Sequence, residues 1–235
     1  MDVSELYDPE FRKLIKSKNP TIIIPVGSIE QHGAHLPITT DSDIVTEIGS
    51  RLAKKCGFIV FPTISYGVSK EHDPFFNMSL ENNTLWNIID DIDRSVVKNK
   101  LKSVIILNGH HGNAISLKLA ERKTILQRPA RIRKIRFYSY WHFMKHEFDH
   151  AGFVETSIML AISDKVKMKK AKKGLITKGM SKKEIQRINK LSTKRSGFPK
   201  VAKNGVWGDP TDATKKDGKK FLAEIVRNLA KECQS

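Results

Sequence analysis

Short runs of β-branched residues alternate along this chain with longer stretches whose apolar residues recur at helical spacing. Thr21 to Val26 predicts a buried strand, and a polar segment, Gly27 to Thr40, follows it. From Asp43 to about Lys55, the residues Ile44, Val45, Ile48 and Leu52 share one helical face; Lys54 and Lys55 fall in the last turn and Gly57 is the stop. Phe58 to Pro62 predicts a second strand and Thr63 to Leu80 a long loop. Leu85, Ile88, Ile89, Ile92 and Val96 again fall at helical spacing. Ser103 to Leu107 predicts a third strand, then a helix from about Asn113 to Gln127 and a strand from Ile135 to Tyr140. A final amphipathic helix, about Ala213 to Lys231, carries Phe221, Leu222, Ile225 and Leu229. Strand–helix–strand alternation predicts an α/β domain with a mostly parallel sheet. Parallel sheets place functional loops at the carboxyl ends of their strands. The loop after Val26 and the turn after Leu107 sit at such ends and can therefore converge.

Composition narrows the class. The chain has 235 residues, 39% of them hydrophobic, which excludes wholesale disorder and allows a substantial core. Its two cysteines, Cys56 and Cys233, form neither a CxxC pair nor a Cys/His metal spacing, so a reducing, cytoplasmic location is expected. The longest apolar stretches are only a few residues, so no membrane span is expected. The first twenty residues lack the apolar core of a secretory signal. One domain, 1–235, is expected.

The formal net charge is +17. Much of it lies in 165–203, which holds 15 Lys or Arg against one acidic residue, Glu184. This segment reads as an exposed excursion with a short helix around Ser181 to Asn189. Such a balance suits either a polyanionic partner or a well-solvated surface. No RRM, KH or zinc-finger signature is present, so nucleic acid is not the expected partner.

Three segments carry candidate chemistry. The first is Glu30-Gln31-His32-Gly33-Ala34-His35 with Asp41 downstream. Glu30 and His32 are two apart, so on an extended segment they face the same side about 7 Å apart. That suits a paired site with ions about 3.5–4 Å apart, with Asp41 as a candidate bridge. Imidazole with carboxylate suits Zn, Mn or Fe(II). The second is Asn108-Gly109-His110-His111-Gly112-Asn113, directly after a strand. The third is Asp149 to Ser157, where His150 precedes a helix and Glu155 lies about one turn in. Glu155 alone reads equally as a carboxylate complementing the helix dipole.

In order, these pieces resemble the creatininase family of metal-dependent amidohydrolases. The matching text is Pro25 to Pro37 with Asp41, Tyr66-Gly67, Glu71-His72, Asn108-Gly109-His110, Tyr140-Trp141, His150 to Ser157 and Gly205 to Pro210. The resemblance implies a three-layer α/β/α sandwich, hexameric assembly and two divalent metals per chain. It implies Glu30, Asp41 and His110 at one metal, and His32 with a bridging Asp41 at the other. It further implies His150 as the proton-handling residue, with Tyr66, His72, Trp141 and His111 as substrate-binding residues.

Three departures matter. Creatininase itself has a Glu at the position of Gly112 that completes the second metal site, and Glu155 is the candidate replacement, as ligand and catalytic carboxylate. The interval from Trp141 to His150 is short, which disfavours creatinine. Asn77-Met78 replaces a Gly-Thr pair common in relatives. The expected activity is hydrolysis of a non-peptide C–N bond of a small molecule. A formamide on a phosphorylated ribosylaminopyrimidine ranks first, since its phosphate would use the basic segment. A creatinine-like lactam comes second and a peptide-cofactor-processing amidase third. A non-catalytic or nucleic-acid-binding relative ranks last.

Overall fold

Residues 1–127, 134–147 and 149–234 are described by the computed structural model. Four strands form one parallel sheet in the order β2-β1-β3-β4. They are β1 (Ile22–Val26), β2 (Ile59–Val60), β3 (Ser103–Asn108) and β4 (Lys134–Ser139). β1 pairs with β3 from Ile22↔Val104 to Val26↔Asn108, so both strands end at the same level. Every residue of β1 is buried, as a parallel strand covered on both faces requires.

Helices cover both faces. Ile23, Ile105 and Leu107 point into a core shared with α2 (Thr40–Cys56), α5 (Phe153–Ile162) and α8 (Lys215–Gln234). Ile22, Ile24, Val26, Val104 and Ile106 point the other way, toward α1 (Asp8–Ser17), α3 (Asn82–Lys98) and α4 (Ala114–Gln127). This alternation builds three α/β/α layers. No helix among the described residues is long and apolar enough to cross a membrane.

Two elements depart from the sequence reading. α2 starts at Thr40, three residues earlier than its apolar spacing indicates. Thr39 Oγ1 donates to Asp43 Oδ2 (2.9 Å), and Asp41 and Asp43 both lie in the first turn, where the helix dipole favours carboxylates. Segment 165–203 is more than an exposed excursion. It carries α6 (Lys182–Ser192) and α7 (Phe198–Val201), and Ser192 and Phe198 are buried.

Candidate metal centre

The site forms where the ends of β1 and β3 meet α2 and α5. Asn113 ties the loops together: its Oδ1 accepts from the Val68 amide (2.8 Å) and its Nδ2 donates to the Gly27 carbonyl (2.9 Å). The Gly109 amide donates to the Val26 carbonyl (2.8 Å), and the His110 amide to Asn108 Oδ1 (3.0 Å). The loop after β1 is braced by residues 75–78: the Gln31 amide donates to the Phe76 carbonyl and the Met78 amide to the Ile29 carbonyl. Asn77, one of the departures noted above, thereby bridges to Glu30, while its Nδ2 donates to Asp73 Oδ1 (3.0 Å).

These constraints bring Glu30, His32, Asp41, His110, His150 and Glu155 together. Asp41 stands between two histidines: Oδ1 is 3.3 Å from His32 Nε2, and Oδ2 is 2.9 Å from His110 Nδ1. Glu30 Oε2 is 3.2 Å from His110 Nε2, and Glu155 Oε2 is 3.7 Å from His32 Nε2. Ligand-type atoms of Glu30, Asp41 and His110 all lie within 4.8 Å of one another. So do those of His32, His150 and Glu155, and those of Glu30, His72 and His150.

Burial sharpens the electrostatics. Glu30, His32, Asp41, His110 and Glu155 are all at most 4% exposed. Their cationic partners within 4 Å, among the described residues, are histidines alone. Burial would lower the His32 pKa, but Asp41, Glu155 and Glu30 overcome it and push it up to about 10. His110 is raised well above its usual range against the same burial, by Glu30 and Asp41. Asp41 is lowered: burial opposes its ionisation, yet His32 and His110 win. Burial lifts Glu155 to about 8, with His32 opposing and Asp41 assisting. His150 goes the other way, well below 6.5, through burial and the charges of His32 and His72.

The donor set fits a divalent metal pair. Glu30 Oε1, His32 Nε2 and Asp41 Oδ2 are buried with only histidine and carboxylate atoms of the same cluster within reach, a crowding of buried charge that a cation would relieve. His32 Nδ1 contacts the Glu30 carbonyl (3.1 Å) and His110 Nε2 contacts the Val68 carbonyl (2.8 Å). Metal-binding imidazoles characteristically donate their far N–H to such a carbonyl.

Gly112 has a steric reason. A Cβ there would collide with the Val68 carbonyl and come within 2.5 Å of Glu71 Oε1 and His110 Nε2. The Glu71 carboxylate therefore occupies the space beside His110 that a side chain at 112 would need; its Oε1 is 3.5 Å from His110 Nε2. Sequence reading gave Glu71 no role. It is carried inward by the 3-10 turn Lys70–His72, a short element with no periodicity to detect. Tyr140 was also missed as a site residue: it is fully buried, and burial together with the charge of nearby Glu155 raises its phenol well above the usual range. Asp149 caps α5 through the Val154 amide (2.8 Å) and the Glu155 amide (3.3 Å).

A cavity of about 360 Å³ opens over this floor. His72, His111 and Trp141 line it; Tyr66 does not, and stands 47% exposed. The His111 ring lies 5.9 Å from Trp141. The far wall comes from the basic segment: Asn189, Ser192 and Thr193 at the end of α6, and Phe198 of α7, whose ring is 4.5 Å from His72 and 4.8 Å from His150.

The chain is similar to several known proteins. The mycofactocin precursor peptide peptidase of Mycobacterium ulcerans (strain Agy99) is 32% identical over 221 residues, 88% of this chain and 82% of that protein. The 2-amino-5-formylamino-6-ribosylaminopyrimidin-4(3H)-one 5'-monophosphate deformylase of Methanosphaera stadtmanae is 39% identical over 94 residues, 39% of this chain and 40% of that one. A solved structure described as "Creatininase Mn" superposes with a TM-score of 0.81 at 23% identity, covering 98% of this chain and 96% of that one, a likeness of fold. The family described as Creatininase: Creatinine amidohydrolase matches residues 4–233, and the chain belongs to that family of amidohydrolases.

Proposed function

We propose that this chain is a metal-dependent hydrolase that cleaves an amide bond near the end of a short peptide. One observation carries the metal reading: Asp41 presents one oxygen to each of two buried histidines, beside carboxylates with no lysine or arginine partner among the described residues. Glu30, Asp41 and His110 would hold one ion; His32, Asp41 and Glu155 would hold the other. Zn, Mn and Fe(II) all suit this donor set. When bound, such ions acidify water and polarise a carbonyl.

The chain's own residues supply the rest. His150 is unprotonated at neutral pH and lines the cavity, so it can accept a proton and return it to a leaving nitrogen. Trp141, Trp207 and Phe198 wall the cavity and exclude water from the reacting amide. The cavity, about 360 Å³, is of the size that takes a small ligand or a short chain end. The peptide reading ranks first because the peptidase relative matches most of both chains, whereas the deformylase relative matches well under half of each. The higher identity in that shorter match supports formamide hydrolysis as the second reading.

The test is metal analysis of natively purified protein, followed by assays on short peptides, formamides and creatinine. About two ions per chain are expected, with both lost in Asp41→Ala. Unchanged metal content in that variant would refute the bridging role. Formamide turnover without peptide turnover would replace the first reading by the second.

A further inference from the structure

Four histidines crowd the carboxylates of this site, and all could in principle bind metal. Their outer hydrogen bonds sort them. His32 Nδ1 and His110 Nε2 each meet a backbone carbonyl, which accepts only, so that nitrogen carries a proton and the other, facing Asp41, is the one a metal would take. His72 differs: its far nitrogen, Nδ1, meets the side-chain nitrogen of Gln31 at 3.0 Å.

The orientation of the Gln31 amide is fixed. Its Oε1 accepts from the Gly33 amide (3.0 Å), so its Nε2 is the –NH₂ group, which donates only. A Cβ at residue 205 would overlap Oε1, so Gly205, at φ +75°, is what lets the amide lie there. Gln31 Nε2 therefore donates to His72 Nδ1. The proton of the His72 ring then sits on Nε2, 3.0 Å from Glu30 Oε1. A nitrogen bearing a proton has no lone pair for a metal.

The same amide reaches His150. His150 Nε2 is 3.1 Å from Gln31 Nε2 and 3.1 Å from the Gln31 carbonyl oxygen. One residue thus offers that nitrogen a donor and an acceptor at equal distance and grips the ring from two sides.

We propose that Gln31 is a positioning residue that assigns the histidines their roles. It locks His72 as the Nε2–H tautomer, keeping it out of the metal set and aimed at Glu30. It also holds His150 Nε2 between its side-chain amide and its backbone carbonyl, fixing the ring over the site. The kinetic consequence rests on the hydrolase reading above; the tautomer assignment does not.

The experiment uses full-length, zinc-loaded protein with ¹⁵N-labelled histidine and reads ring tautomers from long-range ¹H–¹⁵N correlation spectra. His72→Gln identifies the His72 signals by their loss. The expected wild-type pattern is a pyrrole-type Nε2 and a pyridine-type Nδ1 for His72. In Gln31→Glu the acceptor-only carboxylate should draw the proton to Nδ1 and invert that pattern, while Gln31→Met should leave it unlocked. A wild-type His72 protonated on Nδ1, or a pattern unchanged in Gln31→Glu, overturns the proposal whether or not a substrate has been found. With an active substrate, Gln31→Met should lower kcat about 10–100-fold, part of what a well-positioned proton-transfer group contributes, with little change in KM. A change in KM alone would overturn the role assigned toward His150.

Discussion

Metal binding at this centre must displace protons, and the structure sets how many. Without metal, His32 titrates at about 10 and His110 well above its usual range, so at pH 8 each carries its proton. Glu155, at about 8, is half protonated there. Ligation requires bare imidazole nitrogens and ionised carboxylates. Filling both positions at pH 8 should therefore release about two and a half protons per chain, rising toward three at pH 7 as Glu155 becomes fully protonated. The sign follows: affinity rises with pH, and the overall binding constant should climb by between two and three decades per pH unit across this window, as about 2.5 displaced protons dictate. Calorimetric titration of the metal-free protein with Mn²⁺, in two buffers of different ionisation enthalpy, gives the proton count directly. Glu155→Gln should lower it by about half a proton at pH 8 and by nearly one at pH 7. Release of fewer than about one proton at saturation, or affinity flat between pH 6.5 and 8.5, would refute the assignment of His32 and His110 as ligands.

Two further outcomes follow from the same groups. Metal-free protein should lose thermal stability from pH 7 to 9. His32 is held above its unfolded value, so its contribution is present below 6.5 and is lost as pH rises through about 10. Glu155 is raised from 4.5 to about 8, so the folded state is increasingly penalised as that carboxyl is forced to ionise up to pH 8. Calorimetry with chelator present should show Tm falling over this range, and metal-loaded protein should not follow; parallel curves would argue against a metal at these residues. Gly112→Ala should destabilise by about 1–3 kcal/mol, the usual cost of forcing a methyl into a filled space. It should also weaken metal binding by displacing Glu71 or His110. Denaturant melts and a metal titration check both, and wild-type behaviour in each would show the loop yielding freely.

The parts legible in the sequence were those whose signal is local. β1 and β3 are short apolar runs rich in β-branched residues because both sheet faces are covered, and α2, α3 and α8 show an apolar stripe because one face is buried. The loops at the ends of β1 and β3 stood out through histidine and carboxylate at the very positions a parallel sheet makes functional. What stayed hidden depends on contacts between distant segments. Glu71 belongs to a three-residue turn, and its approach to His110 is set by Asn113 holding Val68. Tyr140 reads as an ordinary end-of-strand aromatic until α5 brings the charge of Glu155 near its buried phenol. α1 was not assigned: Phe11, Leu14 and Ile15 are only partly buried against the outer core. The basic segment looked solvated because its lysines and arginines are; Ser192 and Phe198, two inward-facing residues among them, turn it into a cavity wall.

That division bears on where specificity resides. The floor of the site is built by four elements, β1, β3, α2 and α5, whose loops are stapled by buried hydrogen bonds, so a substitution there alters metal binding before it alters substrate choice. The wall above is different in kind. Asn189 and Thr193 are exposed at the mouth, and the carbonyl of Asn189 already accepts from Ser192 Oγ (3.0 Å) and Thr193 Oγ1 (3.2 Å), which fixes the end of α6 as a polar rim. Phe198 anchors the same stretch on His72 and His150. Residues placed in this way touch what enters the cavity without holding the chemistry in register, and they can vary without dismantling the centre. The surrounding positive charge then acts at long range, favouring the approach of anionic substrates at low ionic strength. The floor and the wall are thus carried by separate stretches of chain, so the proposed hydrolase reading places metal binding in one and substrate choice in the other.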